Sequence, residues 1–157
     1  MTTETRVIVV GAAIVRATGR VVESAFGTAA GADGEAGGRV ETVLCARRSA
    51  PPRLAGKWEF PGGKVEPGET DAEAVVRECR EELGVEVVVG RQVGADAHID
   101  DRLTLRVYLA RLLPGQPDPR PLEDHDVLAW VARADLLGLD WLAPDVPIVG
   151  ELSQTSW

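Results

Sequence analysis

Apolar and β-branched residues run from Arg6 to Arg16 (RVIVVGAAIVR) and again from Val40 to Ala46, and each run predicts a strand. Between them, Ser24 to Gly38 (SAFGTAAGADGEAGG) is mostly Gly and Ala, with little to bury. It reads as a flexible insertion in a hairpin connection. After Pro51-Pro52 the pattern gives a loop that ends in Pro61-Gly62-Gly63. From Thr70 to Leu83 the period changes: Val75, Val76, Cys79 and Leu83 form a stripe at helical spacing. Thr70 with Glu73 fits a capping box, and Gly84 is a natural stop. Val85 to Val89, Leu103 to Leu113 and Val127 to Val131 predict further strands, with the stiff connection PGQPDPRP after Leu113. Ala134 to Leu137 and Pro147 to Leu152 predict short helices. The sum is an α/β (α+β) chain in α/β/α layers, a mixed sheet between helices, with no internal repeat.

The 157 residues suit a single domain. No apolar run approaches the roughly 20 residues that cross a bilayer. The N-terminal MTTETRVIVV does not look like a secretory leader, so a cytoplasmic protein is expected, with no membrane partner. The net charge of −8 argues against binding a nucleic-acid polymer. It also means that any phosphate chemistry needs a cation between protein and substrate. Cys45 and Cys79 lie far apart in apolar patterns and are expected to be buried free thiols.

On the central helix Glu78, Glu81 and Glu82 stand at i, i+3 and i+4, so their carboxylates gather on one side. Crowded carboxylates repel one another unless a cation intervenes, and oxygen clusters of this kind suit Mg²⁺. Alone, the spacing fits a solvated acidic face better than a metal site. Two neighbours change the balance. Gly62-Gly63 lies upstream, where bare backbone can approach a ligand, and Arg77 sits among the carboxylates, where it can orient them.

Gly63-x5-Glu69-x7-Arg77-Glu78-Cys79-x-Glu81-Glu82-x-Gly84-Val85 resembles the Nudix box, GX5EX7REUXEEXGU, at every fixed position. Cys79 is a mild departure at the first bulky apolar position. At about one in fifteen per fixed identity, a chance match is on the order of 10⁻⁸ per starting point. Gly56 to Lys64 (GKWEFPGGK) and His125 to Leu152 also resemble the MutT-like branch, which hydrolyses nucleoside triphosphates. The resemblance implies one Nudix domain over residues 1–157, apart from the insertion. It implies Mg²⁺, with Mn²⁺ as a substitute, held by Glu78, Glu81, Glu82 and the Gly62 carbonyl. Glu78 is the expected base for the attacking water, and Glu69 and Arg77 bridge the preceding loop to the helix. A further carboxylate from a distant loop falls at Asp124, with Glu123 as its alternative.

Arg48, Gly63 and Lys64 are candidate substrate contacts, although Arg48 and Lys64 fit surface cations equally well. Asp145 matches the place where the branch reads a base; it could also cap the last helix. Phe60, or Trp58, could stack on the base or fill the core. The implied reaction releases a nucleoside monophosphate and pyrophosphate from 8-oxo-dGTP or from dCTP and CTP, as nucleotide-pool sanitation in support of DNA repair, by a monomer or homodimer. The alternatives are a Nudix hydrolase for another diphosphate, such as ADP-ribose, and a non-catalytic nucleotide sensor.

Overall fold

The computed structural model describes residues 5–18 and 40–157, so the insertion expected at Ser24 to Gly38 lies outside it. In chain order the elements are β1 (Val7–Thr18), β2 (Val40–Arg48), β3 (Trp58–Glu59), β4 (Gly62–Lys64), α1 (Asp71–Leu83), β5 (Val87–His98), β6 (Leu103–Leu112) and β7 (His125–Ala132). A 3₁₀ turn at Arg133–Gly138, another at Ala143–Asp145, and α2 (Val146–Gln154) complete the fold.

The seven strands form one mixed sheet, in the order β3-β2-β1-β6-β5, with β4 also on β1 and β7 also on β2. Strand β1 is parallel to β6 from Val7 to Ile14. Along its antiparallel pairings β1 forks: Val9, Val10 and Gly11 meet Lys64, Gly63 and Gly62 of β4, while Val15 to Thr18 meet β2. The fork brings the Gly62-Gly63 backbone beside the centre of the sheet.

Strand alternation sorts the β1 side chains into two layers. Val10, Ala12 and Ile14 pack with Ala74, Val75, Cys79 and Leu83 of α1. Ala13 and Val15 pack on the other side with Leu136, Trp141, Ile148, Val149 and Leu152. A buried leucine such as Leu83 contributes about 2–5 kcal/mol relative to alanine. The expected α/β/α layering is therefore what the chain adopts. Cys45 and Cys79 are free, buried and on opposite layers. Burial pushes both thiols up, Cys79 to about 12.

Three elements differ from expectation. Strand β5 continues past Val89 to His98 through two register shifts, with Gly94 at φ 65°. Its sequence GRQVGADAH lacks alternation because β5 is an edge strand with much of one face in water. The segment read as a loop before Gly63 contains β3 and β4, both too short to leave a periodic signal. The helix expected at Ala134 to Leu137 is a 3₁₀ turn. Among the described residues no helix is long and apolar enough to cross a membrane.

Candidate active site

Helix α1 carries the acidic cluster and is fixed at both ends. At its start the capping box forms: Thr70 Oγ1 accepts from the Glu73 N–H at 3.2 Å, and the Glu73 carboxylate accepts from the Thr70 N–H at 2.7 Å. Asp71, the first helical residue, accepts from the Tyr108 hydroxyl at 2.7 Å and from Arg106 at 3.2 Å, which moors the helix to β6. At its end Gly84 takes φ 70°. The carbonyls of Glu82 and Leu83 accept from the N–H groups of Leu122 and Arg120, so the β6–β7 loop is tied to the last turn.

The three glutamates have different surroundings. Glu82 is buried, and its Oε2 accepts from the Gly62 N–H at 3.0 Å. Burial first, and then the charge of Glu78, push its carboxyl up to about 8. Glu78 is also raised, again mainly by burial, although Arg77 Nη1 donates to it at 2.8 Å. Glu81 is more open and takes a longer bond from Arg77, at 3.3 Å. Arg77 further donates to both oxygens of Glu69, at 2.8 and 2.9 Å, and to the Lys64 carbonyl at 3.0 Å. The Arg77 bonds, followed by the Glu66 N–H, hold the Glu69 carboxyl down to about 2. One guanidinium thus binds the loop and two of the three glutamates.

The two glycines answer to different neighbours. A Cβ on Gly62 would stand 1.8 Å from the Val10 carbonyl oxygen, inside the β1–β4 pairing. A Cβ on Gly63 would stand 2.3 Å from Glu78 Oε1. Bare backbone here lets a carboxylate lie directly against the loop.

Among the described residues no three acidic, His or Cys side chains already converge into a metal cage. The donor set nevertheless suits a divalent cation. Glu78 raises Glu82 through like charge and Glu81 raises Glu78, and hard oxygen donors are what Mg²⁺ and Mn²⁺ take. The distant loop contributes as well. The charge of Glu123 acts on both Glu78 and Glu82. Asp124 is exposed and uses its carbonyl to accept from the Ser49 N–H at 2.8 Å. Of the two expected candidates, Glu123 is the one whose charge acts on the cluster.

The proposed substrate contacts separate. Arg48 is engaged, donating to Glu59 at 2.8 Å and to the Ala50 carbonyl at 2.9 Å. The Lys64 side chain is exposed at the end of β4. Phe60 and Trp58 are both core residues, and the Phe60 ring lies 5.0 Å from that of Trp141. What Phe60 offers is its backbone: its N–H donates to Asp145 Oδ1 at 3.3 Å. Asp145 is 4% exposed and makes no side-chain cap for α2, so the capping role does not hold. Burial, then the charge of Glu59, push its carboxyl up to about 8.

Sequence reasoning passed over Glu59 and His125. Glu59 Oε1 accepts from Arg48 and from His125 Nε2, each at 2.8 Å. A carboxylate in a two-residue strand gives no periodic signal; its adjacency to the glycine loop was the only clue.

Comparison with known proteins agrees with this geometry. A family model described as NUDIX domain matches residues 31–152. The chain belongs to the Nudix hydrolase family. A Mycobacterium tuberculosis (strain ATCC 25618 / H37Rv) protein, provisionally named 8-oxo-dGTP diphosphatase 2, is 47% identical over 117 residues, covering 73% of this chain and 81% of that relative. The CTP pyrophosphohydrolase of Escherichia coli (strain K12) is 35% identical over 107 residues, covering 68% and 78%. The solution structure of the E. coli ORF135 protein superimposes with a TM-score of 0.68 at 28% identity, over 96% of this chain and 91% of that one. As a Nudix hydrolase the chain acts on phosphoanhydride bonds, in a family that generally uses divalent metal ions.

Proposed function

We propose that this Nudix hydrolase is a Mg²⁺-dependent nucleoside triphosphate pyrophosphohydrolase, releasing a nucleoside monophosphate and pyrophosphate. The observation that carries the reading is that one short segment joins a buried carboxyl to an acidic cluster. The Phe60 N–H meets Asp145, and two residues on the Gly62 N–H meets Glu82. A nucleotide has the same order, with base at one end and phosphates at the other.

Glu78, Glu81, Glu82 and the Gly62 carbonyl would hold the cation, with Glu123 as a further donor in place of Asp124. Bound there, Mg²⁺ supplies neutralisation of the polyphosphate charge and a more acidic water. The chain's own residues supply the rest. Arg77 keeps Glu78 and Glu81 in register with the loop, and Gly63 lets Glu78 reach the reacting phosphate. Glu78, raised by burial, is suited to take the proton of the attacking water. The exposed Lys64 is the remaining candidate for a phosphate contact.

At the other end a buried, protonated Asp145 offers one donor beside one acceptor. That pairs with a base edge carrying the complementary set, as cytosine N3 and N4–H₂ or guanine O6 and N1–H do. The relatives named for CTP and for 8-oxo-dGTP support the same two base classes. Pyrophosphate release from 8-oxo-dGTP, dCTP, 5-methyl-dCTP, CTP and ADP-ribose with Mg²⁺, beside a Glu82→Gln variant, tests the reading. Metal-dependent release from a triphosphate, lost in the variant, is expected; release only from ADP-ribose, or from nothing, would sink it.

A further inference from the structure

We infer that the chain carries a ligand site apart from the glycine loop, built for a small organic acid: an apolar body of about one ring bearing a carboxylate. The site is a cavity of about 180 Å³ at the place where β1 parts from β6 and β5 bulges. It is independent of the nucleotide reading given above.

Three strands build the apolar walls. The parallel pairing of β1 with β6 ends at Ile14 and Ala110, and the next residue, Val15, pairs with β2 instead. Val15 and Leu109 pack in one apolar cluster and both line the cavity. On β5 the pairs Val89 with Ala110 and Gln92 with Tyr108 leave Gly90 and Arg91 opposite Leu109 alone. That is a bulge, a device that re-aims a side chain. A Cβ on Gly90 would stand 3.3 Å from the Leu109 carbonyl oxygen, so bare backbone keeps the bulge close to β6. Val88, 56% exposed, completes the lining.

The charges at this cavity are unmatched. Arg91 and Arg111 both line it. The chain has 25 acidic residues against 17 basic ones, and Arg47, Arg77, Arg106 and Arg133 each hold a carboxylate. Among the described residues Arg91 and Arg111 hold none, and Arg91 meets only the Ser156 carbonyl, at 3.4 Å. A guanidinium matches a planar carboxylate through parallel hydrogen bonds, which is what two arginines beside an apolar hollow offer.

Volume sets the size of the body. An apolar cavity of about 150 Å³ holds a benzene, whereas pockets for drug-sized ligands begin near roughly 300 Å³. A ring-sized acid fits and a nucleotide does not. Val15 also lies four residues along β1 from Gly11, the partner of Gly62, so about 13 Å of strand separates the cavity from the glycine loop.

The test follows backbone amides of the full chain by NMR, without added metal, during titration with benzoate. Benzamide, with the ring but no charge, and acetate, with the charge but no ring, are run beside it. Benzoate should shift the amides of Val88, Gly90, Arg91 and Leu109 with a Kd on the order of 1 mM. Benzamide and acetate should each bind about ten-fold more weakly, as should benzoate in the Arg91→Gln, Arg111→Gln double variant. The single variants carry the comparison if the double variant does not fold. Equal responses to benzoate and benzamide, shifts confined to the surroundings of Gly62 and Glu82, or no response at about ten times that concentration would each overturn the proposal. So would self-association that broadens the same amides with no response to benzoate, which would put a second copy of the chain on this edge.

Discussion

Glu78 lies against the bare Cα of Gly63, so closely that a methyl group there would stand 2.3 Å from its Oε1. Gly62 is excluded from bearing a side chain for another reason, since its Cβ would strike the Val10 carbonyl at 1.8 Å. The two neighbouring glycines should therefore fail differently. Gly63→Ala pushes aside a flexible carboxylate, and kcat should fall about 100-fold with little change in melting. Gly62→Ala breaks backbone pairing and should cost about 1–3 kcal/mol of stability. Kinetics alongside thermal unfolding check both; equal melting temperatures would contradict the assignment.

Arg77 makes acid tolerance a local property. Glu69 ordinarily titrates near 4.5 and in the folded chain near 2. Its contribution is therefore fully present above about 4.5 and is lost as pH falls toward 2. In Arg77→Gln the folded value returns toward the ordinary one. Urea midpoints of the two proteins should lie apart at neutral pH and converge as pH falls through that window. Parallel curves would mean that Arg77 acts elsewhere.

On the proposed reading, Asp145 links base choice to pH. Its carboxyl is protonated in the fold up to about 8, against an ordinary 3.8. Protonated, it offers a donor and an acceptor; ionised, two acceptors, which suit guanine N1–H and N2–H₂ better than cytosine. The ratio of kcat/KM for a guanine over a cytosine triphosphate should rise as pH passes through about 8. Asp145→Asn should flatten it. The sign for stability is opposite to that of Glu69: the folded state holds the extra proton between 3.8 and 8, so stability from this residue declines as pH climbs.

Glu123 and Asp124 give a test of the metal site. Titration of Mn²⁺ should show about ten-fold weaker binding in Glu123→Gln, and less than about two-fold in Asp124→Asn. The reverse order would restore Asp124.

The layered fold was legible because β1 alternates in a run long enough to read: Val10, Ala12 and Ile14 on one side, Ala13 and Val15 on the other. Helix α1 was legible to its last residue, because the capping box and Gly84 are local signals. The acidic cluster could be read from spacing alone, while the unequal burial of its members could not. Glu82 is buried only because β4 comes to it through the fork in β1, a long-range pairing. Phe60 shows the opposite limit. Its place in the chain was read as meaningful, but its polar contact with Asp145 is made by an N–H, which every residue except proline carries. The 12-residue β5 was cut short because an edge strand with bulges need not alternate.

The tie between the β6–β7 loop and α1 has a consequence for motion. Leu122 and Arg120 close the last turn of the helix, and Glu123 follows directly in the chain. Whatever unwinds that turn also carries Glu123 away from Glu78 and Glu82, so opening of the loop and fraying of the helix should occur as one event. Deuterium uptake at the amides of Arg120 and Leu122 would then report on the integrity of α1, a helix to which neither residue belongs.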